Sequence, residues 1–285
     1  MTGTSTRHAQ SANIAPTASG MTALTTGRGP ALILVHGALG DYRQWDPMTE
    51  RLRPHFRVVA ISRRFHWPND PPAQTAGYTV ESQRDDLLAL MQSIAEPVHL
   101  VGHSYGAVVV LAAALAEPVR VRTLTLIEPP LPSLFPVSAA GLAEENSSRA
   151  AMATALRAQV DAGDHEAATS TLFDWIQGGA GGFAALPEAS RHQLLENART
   201  IGPTYAKPSP GFVCSQLARL AMPTLVLNGA DTRPFYLRSG QAVAACIPGA
   251  RSGVVAAARH MVMVENPRAT AAAILDFLVP ARRRS

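Results

Sequence analysis

Residues 98–110 read VHLVGHSYGAVVV, and this stretch decides the fold of the chain. It contains the pentapeptide Gly102-His103-Ser104-Tyr105-Gly106, which follows a short apolar run and opens a long stretch rich in alanine and valine. A strand, a sharp turn and a helix in this order lift a serine out of a sheet, where its hydroxyl can act as a nucleophile. Side chains at the two glycine positions would collide with the neighbouring strand and helix. The stretch therefore predicts a nucleophile at Ser104.

The composition indicates an ordinary globular protein. Hydrophobic residues make up 47% of the 285 residues and charged residues 16%, which suits one α/β core with an insertion. No apolar run reaches the length of a membrane span, so we predict no membrane partner. The net charge of +4 is mild and forms no basic face, so we predict no nucleic-acid partner.

The cysteines and the chain ends carry further predictions. Cys214 and Cys246 are too few for a disulfide framework or a metal site, and they predict reduced thiols, no bound metal and a cytoplasmic location. Residues 1–20 are rich in Thr, Ser and Ala without an apolar core, so we interpret them as a flexible leader and not as a secretory signal. Residues 281–285 are interpreted as a basic tail.

Apolar runs and helical patterns alternate along much of the chain. Strands are predicted at 31–35, 57–61, 98–101, 121–127, 223–227 and 252–256, and helices at 80–94, after Ser104, and at 269–278. Near-continuous apolar strands that alternate with helices predict an α/β fold with a mostly parallel central sheet covered on both faces.

One segment breaks this alternation. Residues 131–218 contain helical patterns at 143–159, 166–175 and 187–197, with no convincing strand. We predict that 131–218 form a helical cap, and that 21–130 and 219–280 form the core.

Together these pieces resemble the α/β-hydrolase fold. The resemblance rests on Leu-Val-His36-Gly37, the turn at Ser104, the run Pro223-Thr-Leu-Val-Leu-Asn-Gly229 with Asp231 behind it, and Arg259-His260. It implies an enzyme without cofactors, monomeric or homodimeric, in which a serine, an acid and a histidine act together. The first hairpin of the fold is hard to find, and it is either reduced to residues 21–26 or lost.

The resemblance assigns the base and leaves two candidates for the acid. His260 follows the last strand, as the family's histidine does. Glu128 lies at the carboxyl end of a central strand, where ligands bind in α/β proteins, and we favour it as the acid. Asp231 is the alternative, on the loop after 223–227. Asp231 lies one residue before the position of the family's usual acid, which Thr232 occupies here.

The remaining site residues are candidates by position or residue type. By the family pattern, the backbone N–H groups of Ala38 and Tyr105 form the oxyanion hole. The aromatic candidates for substrate binding are Trp45, Phe135, Trp175 and Tyr205. Arg63 and Arg64 are interpreted as solvated loop charges, with steering of an anionic substrate as the alternative.

These residues predict a serine hydrolase that cleaves a small, fairly apolar carboxylic ester or lactone through an acyl-enzyme. The same triad performs carbon–carbon bond hydrolysis in relatives, which is one alternative. A non-catalytic protein that binds small molecules is the other, because this fold has been recruited as a receptor.

Overall fold

The computed structural model describes residues 12–17, 19–70, 77–135, 142–206 and 211–279. The strands are β1 (Asn13–Pro16), β2 (Thr22–Thr26), β3 (Ala31–Val35), β4 (Arg57–Ile61), β5 (Val98–His103), β6 (Val121–Ile127), β7 (Thr224–Gly229) and β8 (Arg251–Val255). The helices are α1 (Asp46–Leu52), α2 (Val80–Gln92), α3 (Tyr105–Ala116), α4 (Leu142–Asp161), α5 (His165–Ile176), α6 (Glu188–Glu196), α7 (Ile201–Ala206), α8 (Cys214–Leu217), α9 (Pro234–Cys246), α10 (Val262–Glu265) and α11 (Pro267–Leu278).

The strands form one sheet in the order β1-β2-β4-β3-β5-β6-β7-β8. All neighbours from β4 to β8 are parallel, and β2 alone runs in the opposite direction, pairing antiparallel with both β1 and β4. Every residue of β3, β5 and β7 is buried, because helices cover both faces of the sheet. The predicted α/β fold with a mostly parallel sheet is confirmed.

The amino-terminal edge differs from the prediction. β1 lies inside residues 1–20, which the sequence assigned to a flexible leader, and it pairs with β2 so that Ile14 faces Leu24. The first hairpin is therefore present. Most of β1 is exposed, so it lacks the buried apolar pattern by which the other strands were found. The rest of the leader and the basic tail at 281–285 lie outside the described residues.

Helices α4 to α8 lie between β6 and β7, and the described part of this segment contains no strand. Their buried side chains, among them Leu156, Phe173 and Ile176, join the same apolar cluster as Trp45 and Met48 of the core. The segment therefore packs against the core through a continuous apolar contact. This arrangement lets both parts line one cavity.

The two cysteines form a disulfide, so the prediction of reduced thiols is wrong. Cys214 begins α8 and Cys246 ends α9, and the fold brings their Cα atoms to 4.9 Å. The separation of 32 residues gives no sign of this contact, because it depends on how the two helices pack. The predicted cytoplasmic location rested on reduced thiols and loses that support. None of the described helices is both long and apolar enough to cross a membrane.

Candidate active site

Ser104 lies at the sharp turn between β5 and α3. Its backbone has φ of +50° and ψ of −119°, a strained conformation for a residue with a side chain. A Cβ at Gly102 would meet the backbone oxygen of Gly106 and the side chain of Val110. A Cβ at Gly106 would meet the backbone oxygens of Val35 and His36 in β3 and its following loop. The glycines thus allow the close approach that holds the serine at the carboxyl end of the sheet.

Ala38 and Tyr105, the two residues predicted to form the oxyanion hole, line a cavity of about 360 Å³ together with Ser104. Neither of their backbone N–H groups donates to another group of the described residues. Unpaired donors beside a serine suit an oxyanion hole, because they can stabilise the charge that develops on a carbonyl oxygen.

A buried arginine holds the loop that carries Ala38. The guanidinium of Arg63 donates to the backbone oxygens of His36, at 3.2 Å, and Gly37, at 2.8 Å. The imidazole of His36 accepts from the Arg63 backbone N–H at 2.9 Å. Arg63 is 1% exposed, so the interpretation as a solvated charge is wrong for this residue. Its bonds restrict the backbone that positions the Ala38 N–H group.

Arg64 has a separate and peripheral role. Its guanidinium makes two bonds to the carboxylate of Asp86 on α2, at 2.6 and 2.7 Å. Arg64 is therefore paired away from the cavity and does not line it.

Glu128 and His260 form a buried acid–imidazole pair. His260 Nδ1 donates to Glu128 Oε2 at 3.1 Å. The side chain of His260 is 2% exposed and that of Glu128 is 0% exposed. This bond places the ring proton on Nδ1 and leaves Nε2 free to accept a proton, as a general base must. Glu128 itself has φ of +51° immediately after β6. The backbone is therefore strained after β6, at the acid, as it is after β5, at the serine.

Three further donors surround the carboxylate of Glu128. Gly229 N–H and Asn228 Nδ2 donate to Oε1 at 2.7 and 3.0 Å, and the Thr232 hydroxyl donates to Oε2 at 2.6 Å. Burial raises the pKa of Glu128 to about 7, and these donors oppose the rise because they stabilise the ionised form. Burial lowers the pKa of His260 to about 3, so its imidazole is neutral near pH 7.

Asp231, the alternative acid, does not enter this pair. Its side chain is exposed on the loop after β7, while its backbone N–H donates to Ala258. The next residue, Thr232, points its hydroxyl at Glu128 instead. The structure thus brings Glu128 to His260 and leaves Asp231 at the surface.

His103 links the serine turn to the loop that carries His260. Its Nε2 donates to the backbone oxygen of His260 at 3.0 Å, and Gln44 Nε2 donates to its Nδ1 at 3.1 Å. Burial lowers the pKa of His103 to about 3, which keeps this bridging ring neutral. Among the described residues, Ser104 Oγ has no side-chain hydrogen bond, and such bonds often form only once substrate is bound.

The cavity beside Ser104 is lined both by the α/β core and by helices of the segment between β6 and β7. Its other lining residues are Ala38, Tyr105, Pro130, Pro132, Arg149, Met152, Ala153, Arg157, Trp175, Thr204, Tyr205, Ala206, Phe235 and Tyr236. Of the predicted substrate-binding residues, Trp175 and Tyr205 line it. Neither Trp45 nor Phe135 lines it: Trp45 is fully buried in the core, and Phe135 packs on Phe235 with ring centroids 5.7 Å apart. Trp45 and Phe135 are therefore corrected to packing roles.

Sequence reasoning missed several residues of the site. Arg149, Met152, Ala153 and Arg157 follow helical spacing on α4, so this face could have been found as one stripe. Tyr236, whose ring lies 4.0 Å from that of His260, carried no signal because α9 was not predicted. The described residues contain no group of three or more side chains arranged to hold a metal ion.

Comparisons with known proteins identify the family and the fold. The sequence profile of the alpha/beta hydrolase family matches residues 32–273. An uncharacterised hydrolase of Bacillus subtilis, YraK, is 34% identical over 110 residues, 38% of this chain and 41% of that protein. The 2-(acetamidomethylene)succinate hydrolase of Mesorhizobium japonicum is 32% identical over 103 residues, 36% of each chain. Both alignments cover well under half of the relative's length.

A solved structure extends the likeness over nearly the whole chain. The carboxylesterase CesB of Bacillus subtilis superimposes with a TM-score of 0.72 and 19% sequence identity, covering 97% of this chain and 94% of that one. At this level of identity, the match establishes a shared fold.

Proposed function

Because this chain belongs to the alpha/beta hydrolase family, we propose that it is a serine hydrolase with Ser104 as nucleophile, His260 as base and Glu128 as acid. One observation carries the proposal. A strained serine shares one cavity with Ala38 and Tyr105, whose backbone N–H groups have no acceptor among the described residues, and a buried carboxylate orients the imidazole on the adjoining loop. A structural serine would need neither the donors nor the oriented imidazole.

The first half of the reaction forms an acyl-enzyme. Ser104 Oγ attacks the substrate carbonyl while its proton moves to His260 Nε2, and the N–H groups of Ala38 and Tyr105 bind the oxyanion. Collapse of this intermediate breaks the bond to the leaving alcohol, which takes the proton from His260. The ionised Glu128 stabilises the imidazolium that exists between these two steps.

The second half releases the acid. A water molecule gives a proton to His260 Nε2 and attacks the acyl carbonyl, and the Ser104–carbonyl bond then breaks as the proton returns to Ser104 Oγ. The substrate is a small carboxylic ester or lactone, since the cavity of about 360 Å³ is lined largely by apolar and aromatic side chains.

Labelling by a fluorophosphonate probe tests the nucleophile. The wild type should react, and Ser104→Ala should abolish labelling. Ser190→Ala is the matched control, because Ser190 lines a separate cavity of about 170 Å³ and its loss should leave labelling unchanged. Labelling retained in Ser104→Ala would contradict the assignment. A wild type that does not label at all would favour the non-catalytic binding protein.

A further inference from the structure

The cavity beside Ser104 carries positive charge with no acidic side chain among its lining residues. Arg149 and Arg157, both from α4, contribute the only charged side chains to the lining that the structure describes. Two cations at a largely apolar wall give the cavity a positive potential, since low-dielectric surroundings screen charges poorly.

Arg149 differs from Arg233, the core arginine just before α9 that reaches the same helix α4. Glu145 lies one helical turn before Arg149 on α4, a spacing that favours an ion pair between them. Glu145 instead pairs with Arg233, whose Nε lies 3.3 Å from Oε1. Arg233 also donates to the backbone oxygen of Trp175 at 3.0 Å and to Ser148 Oγ at 3.3 Å. Arg233 is therefore neutralised and hydrogen-bonded, and it takes the acid that could have neutralised Arg149.

The guanidinium of Arg149 has no such partners. Its Nε is buried and finds no acceptor among the described residues, and its Cζ lies 5.8 Å from the ring of Phe235. All 21 acidic side chains of the sequence fall within the described ranges, and none forms an ion pair with Arg149. A buried donor without an acceptor destabilises the fold, so its retention beside a cavity points to a role in binding.

The chemistry of guanidinium selects the ligand. Its N–H groups form a planar fork that matches the two oxygens of a carboxylate, and such paired bonds are among the strongest available to a side chain. Because Arg149 and Ser104 line the same cavity, a bound molecule can place a carboxylate at the first while its ester carbonyl reaches the second.

We propose that Arg149 binds a carboxylate of the substrate, so that the preferred substrates are esters bearing a negative charge besides the ester group. This proposal rests on the proposed function of Ser104 as nucleophile. Arg157 lies two turns further along α4 and is exposed, so it attracts the anion toward the cavity through a longer-range field that salt screens.

A pair of chromogenic esters tests the proposal. Mono-4-nitrophenyl glutarate and 4-nitrophenyl butyrate share the leaving group and differ in a terminal carboxylate. In the wild type, kcat/KM should be higher for the glutarate ester. Arg149→Gln should lower kcat/KM for that ester by about tenfold to hundredfold, the range for losing hydrogen bonds to a charged group, and change the butyrate ester by less than about threefold. The kcat/KM of Arg149→Lys for the glutarate ester should lie between those of the wild type and Arg149→Gln, because lysine keeps the positive charge and lacks the planar pair of N–H groups.

The matched control is Arg199→Gln. Arg199 is an exposed cap arginine outside the cavity, so Arg199→Gln removes the same charge and should leave kcat/KM unchanged for both esters. If Arg149→Gln lowers kcat/KM equally for both esters, the proposal is overturned in favour of a structural role for Arg149. Unchanged kinetics for both esters in Arg149→Gln would also overturn it.

Binding separates this proposal from the proposed function. Glutarate binding is measured by titration calorimetry on Ser104→Ala and on Ser104→Ala with Arg149→Gln. Binding that the second change weakens tenfold or more supports the carboxylate site even if neither ester is hydrolysed, in which case the nucleophile assignment alone fails. Equal binding to both variants, or none to either, overturns the carboxylate site.

Discussion

The neighbouring strands β6 and β7 end differently, although Ile127 and Leu227 pair side by side just before the two ends. β6 is followed directly by Glu128, which is fully buried and accepts a hydrogen bond from His260. β7 ends in a loop whose own carboxylate, Asp231, is exposed. Gly229, the last residue of β7, and Thr232 on the loop both donate hydrogen bonds to Glu128.

The difference bears on the proposed triad, in which the acid follows β6 and does not lie on the loop after β7. A carboxylate is stable when buried only if several donors surround it. Here the end of β7 and the loop after it supply those donors, from Asn228, Gly229 and Thr232, and Thr232 stands at the position where the family usually has the acid. The end of β6 thus provides the buried carboxylate, and the end of β7 provides the groups that stabilise its charge.

The largest expected effect separates the two carboxylates. Glu128→Gln should lower kcat for 4-nitrophenyl butyrate by about 10⁴-fold, as loss of the triad acid does elsewhere, because the imidazole loses the orientation and the counter-charge it needs. Asp231→Asn should change kcat by less than about threefold, because Asp231 is exposed and makes no side-chain hydrogen bond among the described residues. Thermal unfolding of both variants checks that they fold. A larger loss in Asp231→Asn than in Glu128→Gln would reverse the assignment.

A smaller effect is expected from placing the acid on the loop after β7. In the Glu128→Gln background, Thr232→Asp should recover kcat by about tenfold or more, because the residue at 232 already contacts the side chain at 128. Thr232→Asp alone serves as the control, and it should reduce activity because two buried carboxylates repel each other. If the double variant is no faster than Glu128→Gln, position 232 is not an alternative place for the acid.

The smallest effect concerns the Thr232 hydroxyl, and it depends on pH. The ionised Glu128 is the active form, so activity is present above its pKa of about 7 and is lost as the pH falls through that value. Thr232→Val removes a donor to the carboxylate and raises this pKa, which moves the acid limb of kcat/KM to higher pH. The loss should be about tenfold below pH 7 and small at pH 9. Thr232→Ser keeps the hydroxyl and should keep the wild-type profile.

Much of the fold could be predicted because local patterns carry it. The strands at β3, β4 and β6 begin and end where the apolar runs do, and the turn at Ser104 follows from its flanking glycines. The hairpin strand β1 could not be found in this way, since most of its residues are exposed. The disulfide was missed because Cys214 and Cys246 meet only when α8 packs beside α9.

The amino-acid sequence by itself determined the parallel strands β3 to β8, helices α2, α3 and α11 and the sharp turn at Ser104, since periodic burial and the need for glycine are local properties of a chain. Only the tertiary structure decided which carboxylate meets His260 and which of Arg149 and Arg233 has an acidic partner among the described residues. Both outcomes depend on competition for hydrogen-bonding partners between distant segments. Thr232 donates to Glu128, and Arg233 takes Glu145 from Arg149, because the packing of β6, β7 and α4 sets those distances.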